Sequence, residues 1–137
     1  MYVTKYIMAG FQVAYYDHPK KDPIPTVLRE RPDIISTGII MPELDGFALT
    51  KILKADSRTK AIPIMGLDNL GQDADIQKAH ELGMADYLVM AKHTPAEVVE
   101  RACELLHLPK PVFDKLSATN PTPLTNTKRS WWNKFFR

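Results

Sequence analysis

The sequence predicts an α/β fold with a parallel sheet between layers of helices. Short apolar runs bounded by turn-forming residues recur at 34–40, 61–67 and 85–89, as buried strands require. Longer amphipathic stretches with helix-start signals lie between and after them, and strand–helix alternation is the pattern of a parallel sheet. The hydrophobic content of 45% and charged content of 25% are those of an ordinary globular domain.

Taken in order, residues 2–9 present Tyr2, Val3, Tyr6 and Ile7 on one helical face, with Gly10 as the terminating cap. A strand follows over 11–15. Residues 17–26 are interrupted by Pro19, Pro23 and Pro25, of which Pro25 can open a short helix through Val27, Leu28 and Glu30. The strand at 33–37 comes next, then a helix over 46–55 capped by Asp45 and burying Phe47, Leu49, Ile52 and Leu53. Residues 56–60 form a polar loop before the strand at 61–67. Asp73 or Asp75 begins a helix through Ile76, Ala79, His80 and Leu82, closed by Gly83. The last strand covers 85–89, and Thr94-Pro95-Ala96-Glu97 is a capping box that opens the last helix.

The stretch at 31–46, RPDIISTGIIMPELDG, resembles the centre of a response-regulator receiver domain. That family reads P-D-hydrophobic-hydrophobic-x-x-D-hydrophobic-x-M-P-x-x-D-G here. Pro32, Asp33, Ile34, Ile35, Ile39, Met41, Pro42, Asp45 and Gly46 match. The resemblance extends to about Leu108 and implies a receiver (flavodoxin-like) three-layer sandwich. It also implies a first, central strand ahead of the first helix, and this element is missing from the sequence. Either Met1 is an internal methionine of a longer reading frame, or the chain is a shortened paralogue that folds differently, with 2–7 recruited as a strand; the helical reading is favoured.

The resemblance further implies phosphoryl transfer to a strand-end aspartate. Such chemistry needs a carboxylate nucleophile, Mg²⁺ on oxygen ligands, and donors for the moving oxygens. In this sequence Gly38 stands at the acceptor position, Asp68 at the serine or threonine position and Met90 at the lysine position. The acidic pair that holds Mg²⁺ has no counterpart, so no cofactor is expected. Asp68 would repel an incoming phosphate. Tyr87 matches the family's switch aromatic, and an amphipathic surface position is the favoured reading for it. His18, His80, His93 and His107 show no ligand spacing, and no phosphate loop or nucleophile elbow occurs. An enzyme is therefore not expected. A pseudo-receiver is, acting by protein–protein contact through the face at 73–106, with a histidine kinase or another signalling protein as partner.

Three segments are expected: a receiver-like domain at 1–108, a flexible Pro/Thr/Asn-rich linker at 109–127, and a basic aromatic tail at 128–137. Residues 110–137 hold six basic side chains against Asp114 alone, which suggests a separate partner for the tail. Trp131/Phe135 and Trp132/Phe136 are i, i+4 pairs after Ser130, flanked by Lys128, Arg129, Lys134 and Arg137. This composition suits weak contact with an anionic membrane surface, the alternative function. Nucleic-acid binding ranks last, because so short a segment makes no groove. The single cysteine, Cys103, is expected in the core, and a reducing cytoplasm is the expected location.

Overall fold

The computed structural model describes residues 2–16, 21–69 and 71–113, together with the backbone of 130–133. Five helices alternate with the strands: α1 (Tyr2–Met8), α2 (Ile24–Glu30), α3 (Gly46–Ala55), α4 (Asp73–Glu81) and α5 (Pro95–Leu105). The strands are β1 (Gln12–Tyr15), β2 (Ile34–Thr37), β3 (Ile64–Asp68), β4 (Asp86–Val89) and β5 (Ser130–Asn133). A 3₁₀ turn, Met90–Lys92, follows β4.

Local signals start and stop these helices as expected. Asp45 accepts the Ala48 amide at 2.7 Å and caps α3. Thr94 and Glu97 form a reciprocal capping box on α5. Pro25 lies in the first turn of α2, where its missing amide hydrogen costs nothing. Gly10 and Gly83 follow α1 and α4 with φ of 89° and 100°, a region that glycine enters freely.

The sheet is parallel throughout, in the order β1-β5-β2-β3-β4. Alternation along the strands divides the core in two. Ile34, Met65, Leu67 and Leu88 face α1 and α5, where they meet Tyr2, Tyr6, Val98, Val99, Ala102 and Cys103. Ile35, Ile64, Tyr87 and Val89 face α2, α3 and α4, where they meet Val27, Leu49, Leu53 and Ala79. Each fully buried aliphatic side chain contributes on the order of 2 kcal/mol. Cys103 is a core residue, as its type suggests.

Two expectations are corrected at the C-terminal segment. The sheet does not lack its central strand: Ser130–Asn133 occupies that position, pairing Trp131 with Val13 on one side and Ile34 on the other. Nor is the whole tail without structure, since 130–133 is extended rather than a capped turn. The physical reason is the unpaired backbone of β1 and β2. Each presents a row of amides and carbonyls to the gap between them, and leaving those rows buried without partners is costly. Tryptophan favours strands, and an isolated helical turn of this length has little stability of its own. The first residues of the expected linker lie against the domain. Pro111 is buried, Phe113 packs against the α1–α5 cluster, and the Lys5 ammonium lies 5.0 Å from the Phe113 ring centre. The rest of the expected linker, 114–127, lies outside the described residues, as do Lys128, Arg129, Lys134, Phe135, Phe136 and Arg137.

Candidate functional site at the carboxyl edge of the sheet

A parallel sheet delivers the carboxyl ends of all its strands to one edge, where the connecting loops can build a site. β2 brings Gly38 there, β3 brings Asp68, and β4 brings Met90. The three positions singled out in the sequence therefore do share one edge, with Tyr87 two residues below it on β4.

The loop after β2 is tightly built. The Gly46 amide donates to the Ile39 carbonyl at 2.9 Å. A β-carbon on Gly46 would lie 1.8 Å from the Gly38 carbonyl oxygen, so this approach admits only glycine. Glu43 turns the loop with φ of 65°, and Asp45 then starts α3. Ile40 is left three-quarters exposed on the rim.

Asp68 clasps this loop from the neighbouring strand. Its Oδ2 accepts the amides of Ile39 at 2.8 Å and Ile40 at 3.2 Å, and its Oδ1 accepts the Asn69 amide at 2.7 Å. Hydrogen bonds to an ionised carboxylate are the stronger kind. Sequence reasoning saw only that Asp68 would repel phosphate and missed this clasp. The partners lie 28 and 29 residues away, and no local pattern announces them.

Tyr87 departs from the surface position favoured for it, being only 6% exposed. Its ring lies over Gly66, where an added β-carbon would sit 2.7 Å from the ring edge. A glycine inside a strand is a signal of close approach, and Gly66 was the available clue. Burial, and then the carboxylates of Asp68 and Asp75, push the Tyr87 phenol up to about 12. Met90 is half-buried and packs against the α1–α5 cluster, so its position carries apolar contact in place of a cation. Farther along this face, the Arg101 guanidinium on α5 bridges Asp86 on β4 and Glu104, the latter at 2.7 Å.

No family model matches the chain. A putative response regulator from Chloroflexus aurantiacus is 27% identical, with a TM-score of 0.56 over 61% of this chain and 68% of that one. The receiver domain of a histidine kinase from Syntrophus aciditrophicus superposes with a TM-score of 0.65 over 75% and 76% of the two chains, at 24% identity. The fold is that of a receiver domain. Sequence relatives agree with this receiver assignment. PilH of Pseudomonas aeruginosa is 34% identical over 67 residues, covering 49% of this chain and 55% of PilH. RpaA of Synechocystis, described as a DNA-binding dual master transcriptional regulator, is 38% identical over 58 residues, covering 42% of this chain and 24% of RpaA. The matched part of the receiver thus spans at most about half of either relative.

A receiver domain from Pseudomonas aeruginosa, with a TM-score of 0.62 over 77% of this chain and 84% of its own, carries a magnesium ion in its active-site cleft. The described residues of the present receiver do not fit that ion. Among the described residues no three His, Cys, Asp or Glu side chains gather to hold a metal. Gly38 offers no side-chain oxygen, and both Asp68 oxygens already accept backbone amides. Among the described residues no helix is long and apolar enough to cross a membrane.

Proposed function

We propose that this chain is a cytoplasmic pseudo-receiver of two-component phosphorelay signalling, unable to accept phosphate, that acts through protein–protein contact. The carrying observation is the pairing at the sheet edge: glycine where a nucleophile is needed, facing a carboxylate already held by the loop amides. Gly38, Asp68 and Met90 are read as the altered acceptor, hydroxyl and lysine positions. Phosphoryl transfer depends almost entirely on positioning and charge stabilisation; Gly38 supplies no nucleophile, Met90 supplies no cation, and the Asp68 carboxylate is engaged by the Ile39, Ile40 and Asn69 amides. The receiver-like unit is taken as residues 1–108, completed by β5.

The partner is proposed to be a histidine kinase or another signalling protein, docking on α4, β4 and α5 across 73–106. Asp86, Arg101 and Glu104 offer a charged array on this face. The resemblance to response regulators supports this class of partner. A direct test is intact-mass measurement after incubation with a small phosphodonor and Mg²⁺. The mass is expected to stay unchanged, and a gain of one phosphoryl group would overturn the reading.

A further inference from the structure

We propose that the Asp68 carboxylate is a resident anion, permanently filling a cradle formed by the Ile39 and Ile40 amides and thereby setting the loop at 38–45 in one arrangement. This deepens the pseudo-receiver reading and rests on it, because it says what sets the state of a module that takes no phosphoryl group.

The geometry is that of an oxyanion cradle. Two successive backbone amides converge on a single oxygen, Oδ2, at 2.8 and 3.2 Å. Converging amides of this kind favour negative charge without any cation. Among the described residues no ion pair involves Asp68, so these N–H dipoles hold the charge. The second oxygen is turned back onto the Asn69 amide at 2.7 Å, which fixes the rotation of the carboxylate. The charge is delivered by a strand: Asp68 is the last residue of β3, whose Ile64, Met65 and Leu67 are fully buried. Its position is therefore as rigid as the sheet.

The clasp meets the loop at a residue that is itself bonded to the start of α3. Ile39 accepts the Gly46 amide through its carbonyl while donating its own amide to Asp68. The same short segment is thus tied to the start of α3 on one side and to the end of β3 on the other. The Tyr87 ring lies on the same side of the sheet as this assembly, buried over Gly66. A mobile anion in such a cradle would make the loop conditional on its arrival. A covalently attached one makes the loop unconditional.

The test uses the full chain and follows the Ile39 and Ile40 amides by hydrogen exchange and nuclear magnetic resonance. In the unsubstituted chain both amides are expected to be protected and indifferent to formate or inorganic phosphate. In Asp68→Ala, protection should fall about tenfold or more, as expected for losing hydrogen bonds to a charged acceptor. Millimolar formate or phosphate should restore it, while chloride at equal ionic strength should not. Asp68→Asn keeps one acceptor oxygen without the charge, and intermediate protection is expected; this variant carries the test if the alanine variant does not fold. Undiminished protection in both variants overturns the proposal. So does loss without rescue by either oxyanion, or a phosphate-induced shift of these amides in the unsubstituted chain. Covalent phosphoryl uptake read by mass would instead overturn the pseudo-receiver reading, so the two failures are distinguishable.

Discussion

The two halves of the sheet were assembled by different means. On one side β2, β3 and β4 run in chain order, each followed by its own helix, and every strand is an apolar run with turn formers at its ends. On the other side β1 pairs with a strand drawn from residues 130–133, beyond all five helices. The first half follows from local patterning. The second depends on a gap that only exists once the first half has formed. The C-terminal segment takes its conformation from its neighbours, whereas the strands of the other half bring theirs with them.

The strongest way to break this comparison is to end the chain at Phe113. The prediction is loss of the cooperative thermal transition, because β1 and β2 lose their shared partner and domain stability is only about 5–15 kcal/mol. A peptide of residues 128–137 added in trans should restore a cooperative melt followed by near-ultraviolet circular dichroism. A truncated chain that melts as the full one does would show that β5 contributes nothing.

On the other half, Gly46→Ala forces a β-carbon against the Gly38 carbonyl. A loss of roughly 3 kcal/mol is expected from denaturant unfolding, at the upper end of overpacking costs. Thr94→Ala removes one arm of the α5 capping box and should cost about 1 kcal/mol. The smallest effect is confined to alkaline pH. The Tyr87 phenol titrates at about 12 in the folded chain against an ordinary value of 10.0. Its stabilising contribution is therefore complete below pH 10 and is lost as pH rises through 12. Tyr87→Phe should leave the pH dependence near neutrality unchanged and make the alkaline fall in stability shallower. Tyr2, Tyr6 and Tyr16 are also raised and will keep part of that fall.

The candidate site was legible in its residue types and illegible in its contacts. Gly38, Asp68 and Met90 could be aligned with a known pattern and placed on one edge, because strand ends follow from the apolar runs. That Asp68 holds the loop after β2 could not be read. A carboxylate at a strand end has the same sequence appearance whether it faces solvent, a metal or a pair of amides. Tyr87 was misplaced for a related reason. A tyrosine in a short strand fits the surface or the core equally well, and Gly66 on the adjacent strand decided between them by leaving room for the ring.

By itself the sequence determined the elements whose signals are local. Asp45, Thr94, Pro25, Gly10 and Gly83 set helix ends through hydrogen bonds and backbone freedom within a few residues, and the apolar runs of β2, β3 and β4 set where the buried strands lie. Tertiary structure alone decided the central strand, the clasp on the Ile39 and Ile40 amides, and the burial of Tyr87. Each of those is a contact between segments far apart in the chain. Its free energy depends on backbone groups or space that other elements have already created, and nothing in the segment's own residues records that.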